Sequence, residues 1–142
     1  MGAQHENAVR AFIDEIEGDR WNAAQVERIL SRLTPDARYH VYAWERPVTG
    51  HEAIRAELLR QARLFGDLRI EIKAIASTDH TVLIERVDRM TVGRNRKPLA
   101  LHVAAVLEVD EAGKISAWRE YYDSKEINVQ LGADVSTAGT RA

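Results

Sequence analysis

The sequence contains no cysteine. Disulfide bonds, thiol nucleophiles and zinc–thiolate sites are therefore excluded, while the cellular compartment is not decided by this absence. The sequence also lacks an apolar run of membrane-spanning length, and no basic region leads into an apolar run after Met1. We therefore expect a cytoplasmic protein without a membrane partner.

An excess of charge of either sign is also missing. The 142 residues include 20 basic and 22 acidic side chains, a net charge of −2, which provides no electrostatic footprint for nucleic acid. No glycine-rich phosphate loop is present, so the sequence predicts no nucleotide cofactor. With 45% hydrophobic residues, the chain is long enough for one ordinary domain with a core. We assign residues 1–131 to this domain and the small, polar residues 132–142 to a flexible tail.

The hydrophobic pattern predicts helices first and strands afterwards. Apolar residues three and four apart predict three helices, which end near Gly18, at Leu33 before Pro35, and at Phe65. A short helix is predicted near 125–131. The predicted strands are residues 37–44, 68–75, 81–92, 99–109 and 115–123. This order predicts an α+β fold, in which a curved mixed, mostly antiparallel sheet wraps around the N-terminal helices and forms a cone-shaped pocket.

Two of the predicted strands place charged residues on apolar faces. Side chains two apart share a face of a strand, so Arg86 and Asp88 lie among apolar neighbours in the strand at 81–92. The same rule places Trp118, Glu120 and Tyr122 together in the last strand. Two carboxyl groups with an arginine between them, inside an apolar cavity, can divide the roles of acid and base. No metal ion is required for such chemistry.

Structural explanations compete with this one. Considered alone, Arg86 and Asp88 are most simply a structural ion pair. Buried ion pairs seldom add to stability, however, so two charges on an apolar face favour a function. Trp118 and Tyr39, taken singly, are more typical of packing than of ligand contact.

The motifs Glu85-Arg86-Val87-Asp88 and 113–123 (GKISAWREYYD) resemble those of the limonene-1,2-epoxide hydrolase family. That family carries an ERVD or ERTD run followed by a GKIT-x-WRDYFD-like run, and the likeness is specific over roughly residues 80 to 125. The resemblance implies the cone-shaped fold of the nuclear transport factor 2-like superfamily. It also implies a homodimer that uses no cofactor and opens a small apolar epoxide with water in one step.

The resemblance also implies individual roles. Asp88 matches the proton donor, Arg86 the bridge between the carboxyl groups, and Tyr39 a tyrosine that holds the water. Glu120 stands where the family has its basic aspartate, which keeps the charge on a longer side chain. Val41 stands where the family has a water-holding asparagine, unless an irregular strand brings His40 or Tyr42 round instead.

Apolar neighbours of these residues are expected to contact the substrate. The predicted substrate-binding residues are Trp118, Met90, Leu101, Val103 and Val41. Two other functions remain open. The first is an epoxide-opening cyclase or isomerase of secondary metabolism, in which a hydroxyl of the substrate replaces water, and the second is a non-catalytic module that binds a small molecule.

Overall fold

The computed structural model describes residues 2–132. Its elements in chain order are α1 (Gly2–Ile16), α2 (Ala23–Ser31), β1 (Leu33–His40), β2 (Val48–Thr49), α3 (His51–Leu64), β3 (Phe65–Thr78), β4 (Thr81–Val92), β5 (Lys97–Val109), β6 (Ile115–Tyr121) and α4 (Ser124–Leu131). Of the predicted tail at 132–142, all but Gly132 lies outside the described residues. None of the helices within 2–132 is long and apolar enough to cross a membrane.

The six strands form one curved, open sheet in the order β2-β1-β6-β5-β4-β3. β1 and β6 run parallel to each other, and every other neighbouring pair is antiparallel. The predicted α+β class and mixed, mostly antiparallel sheet are therefore confirmed.

The helices pack their apolar faces against this sheet. Phe12 of α1, Ile29 of α2 and Leu58 of α3 are completely buried in one cluster with Leu107 of β5. A second, smaller cluster joins apolar residues of β4 and β5 to α4; its buried members are Val92, Leu99, Leu101, Val103, Ile127 and Leu131. Side chains of both clusters line one cavity, which therefore lies where the two clusters meet.

The first strand begins earlier than predicted. The pattern predicted a helix up to Leu33 and a strand at 37–44, whereas α2 ends at Ser31 and β1 spans Leu33–His40. Leu33 is buried and pairs with Ile115 of β6, and this pairing outweighs one more helical turn. Pro35, which has no N–H to donate, lies where the register of the pair is irregular.

The same strand also ends earlier than predicted, and this changes the direction of one side chain. The chain leaves β1 after His40 and meets β6 again where the Ala43 N–H donates to the Glu120 carbonyl, 2.8 Å away. Tyr42 is buried and lines the same cavity as Tyr39, although residues three apart in a regular strand lie on opposite faces. The irregular strand that brings Tyr42 round, which the sequence left open, is therefore present.

Candidate active site

From Val82 to Arg86 strand β4 alternates between buried and exposed side chains, and its inner face places two charged residues in the cavity. Arg86 and Asp88 are 5% and 6% exposed and line the cavity, while Glu85 and Arg89 on the other face are exposed. Glu120, on β6, is 7% exposed and lines the same cavity. The strand β5 lies between β4 and β6, so the two carboxyl groups come from strands that are not neighbours.

The Arg86 guanidinium bridges the two carboxyl groups. Its Nε and Nη2 donate to Oδ1 and Oδ2 of Asp88, at 2.8 and 3.1 Å. Its Nη1 and Nη2 donate to Oε2 and Oε1 of Glu120, at 2.9 and 2.6 Å. On the intervening strand β5, Val103 pairs with Arg86 and Ala105 pairs with Glu120, so the guanidinium crosses β5 beside these two residues. Paired contacts of this kind fix both carboxyl groups in direction as well as in distance.

The charges in this cluster do not balance when both carboxyl groups are ionised, because one guanidinium then faces two carboxylates. Burial raises the pKa of Glu120 above its ordinary value, with a further contribution from the charge of Asp88, while Arg86 opposes the rise. Burial alone would lower the pKa of Arg86, but the attraction of Glu120 and Asp88 outweighs it and raises that pKa. The cluster therefore keeps its positive charge, and burial disfavours the state in which both carboxyl groups are ionised.

Tyr39 brings a neutral hydroxyl group to the same cavity. Its ring stacks on Trp118 of β6, with centroids 3.8 Å apart and planes 13° apart. Its oxygen accepts a hydrogen bond from Nε2 of Gln61, at 3.1 Å, and the same Nε2 donates to Oε2 of Glu57, at 2.8 Å. Burial, followed by the charge of Glu120, raises the pKa of Tyr39. The phenol therefore stays protonated, and its O–H remains a donor.

The cavity that contains these groups has a volume of about 140 Å³. All of the predicted site residues line it: Tyr39, Val41, Arg86, Asp88, Met90, Leu101, Val103, Trp118 and Glu120. Its lining also includes Asp19 and Arg20, which are exposed, so the loop between α1 and α2 forms part of the entrance. Within residues 2–132, no three His, Asp or Glu side chains are grouped so that they could hold a metal ion.

Several residues that line the cavity were not among the predicted site residues. Gln61 and Arg60 come from α3, and Tyr42 comes from the chain excursion after β1. Gln61 had a signal in the sequence: it lies seven residues after Ile54 and three after Leu58, on the apolar stripe of the helix, where a polar residue is unusual. For Tyr42 the sequence indicated only that an irregular strand would bring it round, because its direction depends on contacts with β6 that the local pattern does not contain.

An open, curved sheet with helices packed on it and a cavity between them defines the cone-shaped fold of the nuclear transport factor 2-like proteins. A family model described as the SnoaL-like domain matches residues 9–118, which is most of the chain. The chain therefore belongs to the SnoaL-like family. No curated protein matches it by sequence.

Three solved structures illustrate the range of proteins with this fold. An LEH-like epoxide hydrolase from M. tuberculosis is 22% identical, with a TM-score of 0.74 over 99% of this chain and 98% of that one. The epoxide hydrolase/cyclase-like enzyme SalBIII, which has a role in pyran ring formation in the polyether salinomycin, is 16% identical. Its TM-score is 0.74 over 87% of this chain and 94% of that one. A putative polyketide cyclase from Xanthomonas campestris pv. campestris is 18% identical, with a TM-score of 0.73 over 90% and 96%. Likeness at these identities establishes the fold and leaves the activity to be argued from the site.

Proposed function

We propose that this protein is a cofactor-independent epoxide hydrolase that opens a small epoxide by one-step general acid and base catalysis. One observation carries the proposal: Arg86 holds Asp88 and Glu120 through paired hydrogen bonds inside a mainly apolar cavity. Opening an epoxide requires a proton on the ring oxygen and a nucleophile at the opposite face of a ring carbon. Two carboxyl groups on either side of a fixed cation can meet both requirements.

In this proposal Asp88 donates the proton to the epoxide oxygen and Glu120 removes a proton from the attacking water. The C–O bond breaks as the water oxygen forms its bond to carbon, and the product is a vicinal diol. The reaction leaves Glu120 protonated and Asp88 ionised, so one proton must return to Asp88 before the next turnover. Arg86 stays charged throughout, which keeps the ionised carboxylate stable at each stage.

The order of the strands supports this division of roles. Glu120 lies on β6, which is paired with the strand of Tyr39, whereas Asp88 lies on β4, further across the sheet. A water held near Tyr39 is therefore closer to Glu120 than to Asp88. The raised pKa of Glu120 suits the role of base, because an ionised carboxylate with a higher pKa accepts a proton more readily.

Gln61 supports the positioning of the water. Because its N–H donates to the Tyr39 oxygen, the hydrogen of the Tyr39 hydroxyl is directed to another acceptor, and a water in the cavity can take that place. The Gln61 carbonyl has no hydrogen bond to any other described residue and can accept from the same water. Val41 has no polar group. Tyr39 and Gln61 together make the hydrogen bonds to the water that an amide side chain at position 41 would have made.

The rest of the cavity fits an apolar substrate body. Trp118, Met90, Leu101 and Val103 line the wall next to the charged cluster. Burial of such surface contributes roughly 25 cal/mol for each square ångström removed from water, which is enough to bind a small hydrocarbon skeleton. The charged cluster then has to supply only the chemistry.

The test is incubation with cyclic and aryl epoxides in water enriched in heavy oxygen. We expect diols that carry the label, and we expect Asp88→Asn to reduce their formation by at least about 100-fold. Glu85→Gln is the matched control, because Glu85 lies on the same strand but faces outward, and we expect it to keep full activity. Full activity of a folded Asp88→Asn variant would remove Asp88 from the mechanism.

A second candidate is an epoxide-opening cyclase, and Val41 favours it. A valine in the cavity wall cannot hold a water, and an attacking hydroxyl that belongs to the substrate needs no such support. The heavy-oxygen experiment separates the two activities, because a cyclic ether formed within the substrate gains no oxygen from water. If a ligand binds but no epoxide reacts, the chain is a binding module instead.

We extend the proposal to the assembly and location expected from the sequence, a cytoplasmic homodimer. Light scattering on the purified protein measures the number of copies in solution. Fractionation of the native cells measures the location.

A further inference from the structure

The entrance of the cavity is formed by two segments that backbone hydrogen bonds hold together. Gly18, in the loop between α1 and α2, and Leu68, near the start of β3, donate to each other's carbonyl oxygens at 3.1 and 2.7 Å. The Asp67 N–H donates to the Asp19 carbonyl beside them. Gly18, Asp19 and Leu68 all line the cavity, so these bonds fix the position of its rim.

The backbone of Asp67 is strained at this rim. Its φ of +54° lies in the left-handed region, which is unfavourable for a residue with a side chain. Its carboxylate accepts hydrogen bonds from Oγ1 of Thr91 and from Nη2 of Arg96. These two contacts compensate for the unfavourable conformation and keep the rim in place.

One of the charged side chains that line the cavity lacks a partner. The charged lining residues are Asp19, Arg20, Arg60, Arg86, Asp88 and Glu120. Asp19 pairs with Arg69 at 3.1 Å, and Arg60 pairs with Glu57. The last three bind one another. Arg20 is exposed and has no ion pair or hydrogen bond with any other residue within 2–132. Its counter-charge is therefore expected from a ligand.

The residues next to Arg20 at the entrance are mainly apolar. Trp21 follows it, and the Trp21 indole N–H donates to the Ile16 carbonyl at 2.7 Å, which fixes the ring. Leu64 and Phe65, at the junction of α3 and β3, also line the cavity. A ligand that enters here needs an apolar body, while a charged end at Arg20 stays partly in water.

The register of the sheet gives the separation between the entrance and the proposed acid. Asp88 pairs with Ile70 of β3, and Leu68, which forms the bridge to Gly18, comes two residues earlier. Neighbouring strands lie about 5 Å apart, and two residues of extended chain span about 7 Å. The entrance therefore lies on the order of 10 Å from Asp88, a distance that a short apolar chain can span.

We propose that Arg20 binds a carboxylate at the cavity entrance, and that the substrate is an epoxide joined to this carboxylate by an apolar chain. The inference rests on the proposed function for the epoxide end. A guanidinium presents parallel N–H donors to the two oxygens of a carboxylate, so it fits this anion in direction as well as in charge. One arginine balances one negative charge, whereas a phosphate monoester brings nearly two. The substrate class narrows from hydrocarbon epoxides to epoxy acids.

The first experiment measures binding without turnover, so that it does not depend on the proposed reaction. The probes are para-butylbenzoate and para-butylbenzamide, which share one skeleton, lack an epoxide and differ in the charge of one end. Titration calorimetry at low salt gives their dissociation constants for the wild-type chain, for Arg20→Gln and for Arg10→Gln. Arg10→Gln is the matched control, because Arg10 is also exposed and without a partner among the described residues, but does not line the cavity.

We expect the benzoate to bind about 5-fold more tightly than the benzamide, the upper range for an exposed ion pair. Arg20→Gln should remove this preference and Arg10→Gln should keep it. Raising the salt from about 10 mM to about 1 M should weaken the preference, because an exposed charge is screened. Equal binding of the two probes, no measurable binding of the benzoate, or a preference that salt does not weaken would overturn the inference. So would a preference that survives in Arg20→Gln or that Arg10→Gln also removes.

Turnover is measured separately with the same two molecules carrying an epoxide at the end of the butyl chain. If neither is hydrolysed while the preference for the benzoate holds, the proposed function fails and the carboxylate contact of Arg20 stands. If both are hydrolysed and Arg20→Gln leaves the ratio of their kcat/KM values unchanged, the contact fails and the proposed function stands.

Discussion

The raised pKa of Glu120 makes the stability of the protein depend on pH. Stability should fall as the pH rises, whereas the proposed activity should increase. In the folded protein this pKa lies above its ordinary value of 4.5, so the folded state binds the Glu120 proton more tightly than the unfolded state does. The stabilisation from this proton is fully present below pH 4.5 and is lost as the pH rises through the folded pKa. If Glu120 is the base, as proposed, its ionisation should increase activity over the same pH range.

The magnitude follows from the linkage between proton binding and folding. Between the unfolded and folded pKa values, the free energy of unfolding falls by up to about 1.4 kcal/mol for each pH unit, relative to a protein without this titration. Glu120→Gln supplies that reference, because an amide has no proton to lose here. Gln can accept from Arg86 through one oxygen instead of the two that Glu120 uses, which adds an offset that does not vary with pH.

The assay is urea denaturation followed by circular dichroism, from about pH 4.5 to pH 8, for the wild type, Glu120→Gln and Glu85→Gln. We expect the stability of the wild type minus that of Glu120→Gln to decrease as the pH rises, and kcat/KM of the wild type to increase with the same midpoint. Glu85→Gln, on the outer face, is the control for removing a carboxyl group without touching the bridge. A difference for Glu120→Gln that is flat, or that grows with pH, would refute the reasoning.

The other predictions concern the groups around Arg86. Arg86→Met should lower the free energy of unfolding by about 3–5 kcal/mol, because it leaves two carboxyl groups buried without their partner. Arg89→Met, on the exposed face of the same strand, should change the free energy of unfolding by less than about 0.5 kcal/mol. Equal effects of the two variants in urea denaturation would contradict a buried bridge. Ala105→Val should lower the free energy of unfolding by about 1–3 kcal/mol through overpacking. It should also reduce hydrolysis, because the added methyl groups lie where Arg86 crosses β5. An unchanged kcat with lowered stability would contradict that position of Arg86. Gln61→Met should lower kcat by about 10-fold with little change in the melting temperature, because it removes the donor that directs the Tyr39 hydroxyl. Steady-state kinetics and thermal unfolding measure the two quantities. An unaffected kcat would show that Gln61 has no such role.

The central part of the site was accessible from the sequence because side chains two apart share a face in two of its strands. In β4 the alternation of buried and exposed side chains from Val82 to Arg86 follows the pattern of apolar residues, so Arg86 and Asp88 could be placed on the inner face, although Val87 on the other face is buried too. The same reasoning placed Glu120 with Trp118 in β6. The bridge between them depends on the register of three strands, and a slip of one residue would have turned one of the carboxyl groups outward.

Other parts of the site depend on contacts that a local pattern does not contain. The excursion that turns Tyr42 into the cavity is held by the hydrogen bond from Ala43 to Glu120, and these residues are far apart in the chain. The early start of β1 depends likewise on its pairing with β6. Proline and apolar spacing at 33–37 fitted a helix end equally well, so the sequence alone could not distinguish the two.

The parallel pairing of β1 with β6 has a consequence for how the protein folds. Short turns connect β3, β4 and β5, so a three-stranded meander that already carries Arg86 and Asp88 can form quickly from local contacts. β1 must close a much longer loop before Tyr39 reaches Trp118, and that closure is entropically costly. We therefore expect a refolding chain to form the strand of the proposed acid, Asp88, before Tyr39 reaches the site, so that the proposed activity appears only when β1 pairs with β6.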